Sequence, residues 1–262
     1  MAKGSRGGKR ISGGGVSGAP VVTPTQVTPP TPAQVAAGNV LPNGGVAYSD
    51  FQNMTDDEKA DVITQALGVG TPLFLEDSGL QKFAYFTGMS DKPTTVSDSQ
   101  LDSMSGTEIF RTVNDAYSRS TDIGYTSNDI YKQIKDGDFT MYSDSGGSAH
   151  GKAIYFASDF GDSAVYGNRG QHPLMMRAKI VSGRSIKEGQ LSRDYSNALA
   201  RGDKLALACS NADRGSARNL YALAKGYSVI TPDYGTYYMV LNRGCLAMSS
   251  KTRSNPSMGG HW

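Results

Sequence analysis

The first carboxylate of this chain is Asp50. Residues 1–49 contain no Asp or Glu, and their only charged side chains are Lys3, Arg6, Lys9 and Arg10. The stretch reads KGSRGGKRISGGG and then VVTPTQVTPPTPAQ. A Gly/Ser segment behaves as a flexible coil and a Pro/Thr segment as a stiffer, extended one. Neither buries enough apolar surface to offset the entropy of ordering it. Residues 1–48 are therefore expected to be a disordered basic Gly/Pro-rich tail, and any core must come from the rest. The tail reads either as a solvated linker or as an arm that orders against another subunit.

Charge follows the same division. The chain carries 26 Lys/Arg against 24 Asp/Glu. Removing the four tail cations leaves 22 against 24, so residues 50–262 have a formal net charge of −2. A near-neutral body lacks the broad basic face that nucleic acid requires, and only the tail offers phosphate a contact. No apolar run approaches the roughly 18 residues of a membrane span. The N-terminus has charges but no apolar segment of the kind a signal peptide carries. The expectation is a chain that is neither membrane-bound nor secreted by a classical signal. Cys209 and Cys245 read as reduced thiols, with one disulfide as the alternative. His150, His172 and His261 are scattered, and no cluster has metal-ligand spacing, so no metal is expected.

Ordered structure is expected from Ser49. Thr55-Asp-Asp-Glu58 has the form of a capping box, followed by Ala60, Ile63 and Leu67 at helical spacing and Gly68 as a stop. A second short helix follows Pro72 and buries Leu80, Phe83 and Ala84; a third turn or helix lies near Ser99–Met104. Residues 49–105 thus form a small helical subdomain. From Glu108 the texture changes to strand-like runs: EIFRTV, GDFTMYS, KAIYFAS, PLMMRAKIV, YSVIT and TYYMVLN. Helix candidates SNDIYKQIKDG, DFGDSAVYG and DRGSARNLYALAKG separate them, and the last ends at Gly226 after Lys225. Many short strands among few helices argue for an α+β fold with split antiparallel sheets, because regular β-α alternation is absent. The α+β region spans 106–250, and 251–262 is a flexible C-terminal tail.

One near-match is set aside. Gly146-GSAH-Gly151-Lys152 fits a phosphate-binding loop as far as Lys152, but Ala153 stands where a Ser/Thr would hold magnesium. Ile154-Tyr155-Phe156 then form a strand, whereas that motif must run into a helix whose amides face phosphate. A Ser/His/Asp or Cys/His centre has only His150 to offer, with nothing else to support it.

The same stretch, GKAIYFASDFGDSAVYG over residues 151–167, resembles the GKGIYFA…SA.Y segment of poly(ADP-ribose) polymerase-type domains of the ADP-ribosyltransferase superfamily. The resemblance implies an NAD⁺ site. Tyr155 on the strand and Tyr166 on the following helix would sandwich nicotinamide, Ser163 would bind its carboxamide, and Gly151 would bring the backbone close. A flat, electron-poor cation does prefer an aromatic face on each side, and Gly permits close approach; the same two tyrosines also read as half-buried core. Upstream, IFRTV (109–113) is similar to the superfamily's LFHG or LYRG strand, which makes Arg111 the ribose or phosphate contact. Arg is the variant of the toxin-like branch. Tyr125-Thr126-Ser127 reads either as an acceptor-side region or as a helix cap at Ser127, and the cap is preferred. Downstream, GYSVIT, the turn at Pro232-Asp233 and TYYMVLN resemble the family's closing elements. The likeness covers about residues 107–250.

The departure from the pattern concerns catalysis. The family places a Glu at the start of the last of these strands to bind the ribose 2′-hydroxyl and stabilise the oxocarbenium-like transition state. Here that position is Tyr237, or Thr236 one residue earlier, and neither is anionic at neutral pH. Losing a preorganised charge aimed at a developing cation costs about 10²–10³-fold in rate. Asp233 in the preceding loop is the expected substitute; Glu108, Asp162 and Glu188 are more distant ones. Two readings remain open. One is an NAD⁺-dependent mono-ADP-ribosyltransferase acting on a protein or other acceptor. The other is a catalytically silent member of the fold used for structure or interaction. The tail and helical subdomain resemble appendages of phage-encoded proteins with such domains, minor virion components included. The resemblance so places the chain in the host-cell cytoplasm or in a virion, assembled through its N-terminal arm.

Overall fold

The computed structural model describes residues 41, 44–72, 75–113, 126–138, 140, 142, 150–167 and 172–254, with only the backbone of 166 and 167. The tail expected over 1–48 lies almost entirely outside these residues, as does most of 251–262. The chain is α+β. The first four helices are α1 (Tyr48–Asn53), α2 (Asp56–Gly68), α3 (Gly79–Phe86) and α4 (Asp98–Ser103). Thr55 and Glu58 form the capping box at α2: the Thr55 hydroxyl accepts from the Glu58 amide and the Glu58 carboxylate from the Thr55 amide. Ser78 caps α3 with its hydroxyl alone and Ser97 forms a second box with Gln100 at α4, satisfying amides that no carbonyl can reach. The fifth helix, α5 (Ser127–Asp136), is capped one residue before the expected Ser127. Thr126 holds the Asp129 amide in a third reciprocal box, and Ser127 is already helical.

The strands are β1 (Thr94–Val96), β2 (Thr107–Val113), β3 (Ile154–Ala157), β4 (Leu174–Ile180), β5 (Arg184–Lys187), β6 (Tyr227–Thr231), β7 (Tyr237–Val240) and β8 (Leu246–Ser254). Four more helices lie among them: α6 (Phe160–Gly167), α7 (Glu188–Ala200), α8 (Lys204–Ser210) and α9 (Ala217–Ala224). The described strands make one mixed sheet in the order β1-β8-β4-β2-β3-β7-β6-β5, where split antiparallel sheets were expected. Its six inner strands are antiparallel throughout. The two edge strands, which the sequence did not announce, pair in parallel, β1 with β8 and β5 with β6. Parallel neighbours need a long crossover, and α7, α8 and α9 supply it between β5 and β6. The sheet also runs on to Ser254, past the expected boundary at 250.

GDFTMYS is not a strand at its described residues. The Gln81 side chain takes its backbone groups instead, donating to the Thr140 carbonyl at 3.1 Å and accepting from the Tyr142 amide at 3.1 Å. A glutamine amide can satisfy both at once, so no ladder is needed. Phe51, Ile63, Leu80 and Phe83 share one buried cluster with Ile154, Val229 and Met239, which packs the early helices on the sheet. Arg243 lies in a 3-10 turn (Arg243–Cys245) before β8 and is fully buried. Its guanidinium donates to the carbonyls of Asp91 (3.1 Å), Ile134 (3.1 Å), Ser90 (3.4 Å), Gln133 and Gly137. It closes the C-terminal end of α5, where carbonyls have no helical partner. Cys209 and Cys245 are buried and unbridged, and burial pushes the Cys245 thiol up to about 12.

Candidate functional site

Three strands named by the sequence motifs are neighbours: β2, β3 and β7 lie side by side. Phe110 pairs with Ala157, and Ala157 with Tyr237; two residues along, Tyr155 pairs with Met239. Directly opposed residues share a face, so Phe110, Thr112, Tyr155 and Tyr237 line one side of the sheet. The Tyr155 and Tyr237 rings stand 6.3 Å apart between centroids, tilted by 44°.

Arg111, between Phe110 and Thr112, projects to the other side, so it does not share a face with Tyr155. Its Nη1 donates to the Tyr155 carbonyl at 2.7 Å. Ser163 on α6 is buried and bonds the Thr112 hydroxyl at 3.0 Å. The Tyr155 hydroxyl donates to the Gly151 carbonyl. Gly151 has φ +85, and a Cβ there would lie 2.3 Å from the Gly215 carbonyl oxygen; only glycine fits. Tyr166 lies on α6, and its side chain is outside the described residues.

Tyr237 does not stand alone. Its hydroxyl donates to Glu188 Oε2 at 2.7 Å and lies 3.0 Å from His150 Nδ1. His150 Nδ1 is 2.9 Å from Glu188 Oε1, which also accepts from Arg218 Nη2 at 2.9 Å. Four elements meet here: the segment entering β3, the start of α7, α9 and β7. Glu188 is the first residue of α7, where the helix dipole favours an anion. Asp233, the expected substitute carboxylate, is occupied: it accepts from the Gly189 amide, while Lys187 Nζ donates to the Pro232 carbonyl at 3.1 Å. Those two bonds tie the β6–β7 turn to the start of α7 and so set Glu188 against Tyr237. Glu108 is bound to Arg177, and Asp162 sits in the first turn of α6.

The electrostatics are one-sided. Burial raises the Glu188 pKa, but hydrogen bonds from His150 and Tyr237, together with the Arg218 charge, outweigh it and hold the group below its ordinary value. Burial, and then the Glu188 carboxylate it donates to, push the Tyr237 phenol far up. At neutral pH the site is an anion surrounded by donors. The Glu188 side chain is 15% exposed and the His150 side chain 39%, so the imidazole is the open part.

Sequence reasoning named Glu188 as a remote choice and set His150 aside; Arg218 and Asn219 it missed. Asn219 Nδ2 donates to the carbonyls of His150 (3.1 Å) and Lys152 (2.9 Å), and Arg218 Nη2 to that of His150 at 2.9 Å. The available signal was Asn219 on the same helical face as Leu223, since a polar residue on an apolar face needs an inward partner. Among the described residues no group of three or more His, Cys, Asp or Glu side chains could hold a metal ion, and no helix is long and apolar enough to cross a membrane. Comparison with protein-family models, with curated proteins and with solved structures finds no match to this chain.

Proposed function

We propose that this chain is an ADP-ribosyltransferase-like protein that binds NAD⁺ on the Tyr155–Tyr237 face, with Glu188 carrying the negative charge that Tyr237 lacks. The observation that carries this reading is the Tyr237 hydroxyl bound to an ionised Glu188 carboxylate at 2.7 Å. A side chain from α7 thus brings a carboxylate to the ring of the residue at the expected Glu position. Its two oxygens already accept from His150, Tyr237 and Arg218. Glu188 therefore acts on a developing ribosyl cation through its charge, and not by direct contact with the ribose. Two further features support the reading: the three motif strands adjoin, and Gly151 has a backbone conformation open only to glycine.

A second reading has its own support. The Tyr155 and Ser163 hydroxyls, which would face nicotinamide, bond Gly151 and Thr112 within the chain, and Arg218 offsets the Glu188 charge. That is the arrangement of a silent member of the fold, kept for structure or interaction. Thermal unfolding with millimolar NAD⁺ and an assay of nicotinamide release separate the two. A transferase melts at higher temperature with the ligand and releases nicotinamide, and Glu188→Gln slows release about 10²–10³-fold. Binding without release supports the silent reading. Neither binding nor release removes NAD⁺ from the account.

A further inference from the structure

The imidazole of His150 is anchored at two points. Its own carbonyl accepts from Arg218 and Asn219, and its Nδ1 meets the Glu188 carboxylate at 2.9 Å. Gly151 follows immediately, pressed against the Gly215 carbonyl, and the Lys152 amide donates to that same carbonyl at 2.7 Å. The backbone from His150 to Lys152 is thus fixed to the loop and helix that carry Gly215, Arg218 and Asn219.

A carboxylate can only accept hydrogen bonds. Facing an ionised Glu188, Nδ1 must carry the ring proton, and in the neutral ring Nε2 is then a lone pair. Among the described residues no hydrogen bond reaches Nε2, and the side chain is 39% exposed. Among the described residues one ring nitrogen is bound and oriented while the other is open to solvent, which is the arrangement a carboxylate imposes on an imidazole that must take a proton. The charged and titratable groups gathered around it are the Glu188 carboxylate, the Arg218 guanidinium and the Tyr237 phenol, with Asp233 beside them in the β6–β7 turn.

We propose that His150 is a general base, with Nε2 as the proton acceptor and Glu188 as the positioning residue that fixes its tautomer. The inference rests on the function proposed above for the identity of the reaction, though not for the state of the ring. In that reaction the acceptor, whether water, a hydroxyl or an amine, gives its proton to Nε2 as its lone pair bonds to the ribose C1′. The C1′–nicotinamide bond breaks, and its electron pair leaves on the pyridinium nitrogen, which becomes neutral. His150 then gives the proton to water.

Long-range ¹H–¹⁵N spectra of the full chain read the tautomer directly, with the His150 signals assigned by their loss in His150→Gln. The expected state near neutral pH is protonated Nδ1 and bare Nε2, with that preference weakened in Glu188→Gln. Diethyl pyrocarbonate, followed by mass spectrometry of the His150 peptide, should modify Nε2 in the wild type. Nicotinamide release should rise with pH along a limb that His150→Gln abolishes, with a rate loss of about 10²-fold or more, while the NAD⁺-induced melting shift persists. A proton on Nε2, or release unchanged in His150→Gln, overturns the assignment. Should NAD⁺ neither bind nor react while the spectra and the modification come out as expected, the proposed function falls and the exposed base stands.

Discussion

Arg243 and Glu188 are both largely removed from water, yet their surroundings differ in kind. Among the described residues the Arg243 guanidinium bonds only main-chain carbonyls, gathered from residues 90–91, from the end of α5 and from the residue after it. None of these partners titrates or moves independently of the fold. Glu188 meets an imidazole, a phenol and a guanidinium, each of which turns on its own side-chain torsions, and the imidazole reaches solvent. A charge bound by backbone joins elements together and can do little else. A charge bound by titratable side chains at a surface can respond to pH and to a ligand. The lesson is that what neutralises a buried charge says more about its role than the burial itself.

The comparison can be broken at either end. Arg243→Met takes the donor from five carbonyls at once, one buried and four partly so. It should lower unfolding free energy by at least about 3 kcal/mol, at 1–3 kcal/mol for each unsatisfied group, as measured by urea titration. Arg243→Lys should fall between, since a lysine keeps the charge but not the forked donors. A variant as stable as wild type would mean the knot is ornamental. Gly151→Ala should cost about 1–3 kcal/mol, because residue 151 must keep a positive φ beside the Gly215 oxygen. Thermal melts would show it.

A smaller effect sharpens the other end. The folded pKa of Glu188 is lowered, so its contribution is complete above the unfolded value of about 4.3 and disappears as pH falls through the folded one. The stability gap between wild type and Glu188→Gln should therefore be constant above about pH 5.5 and shrink below it, as followed by denaturant titration across pH. A gap that widens in acid would contradict the ionised cluster. Smallest of all is Asp57→Asn. It removes the Lys204 pair, whose side chains are 70% and 66% exposed, and should leave the melting temperature unchanged, as isolated surface pairs do.

Much of the architecture was legible in the residues. The capping box at Thr55, the helix over 127–136 and the apolar runs that became β2, β3, β4, β6 and β7 all rest on neighbours within a few positions. Where the reading slipped, the cause differs from place to place. The cap at α5 falls on Thr126 because Asp129, three residues on, completes the reciprocal bonds. GDFTMYS has a strand's composition, but Gln81, about sixty residues upstream, takes its main chain. The edge strands β1 and β5 are short and mostly exposed, so no alternating apolar pattern marks them.

The sequence by itself determined that the fold is α+β and which strands carry the aromatic positions of the site. Those are consequences of composition, side-chain period and capping, all of which act over a few residues. Only the tertiary structure decided that Arg111 faces away from Tyr155, that Asp233 is spent on the Gly189 amide, and that Glu188 reaches Tyr237. The partners of Glu188 lie 38, 49 and 30 residues away along the chain. Over such separations no periodicity survives; the packing of α7 and α9 against the sheet alone brings the charges together.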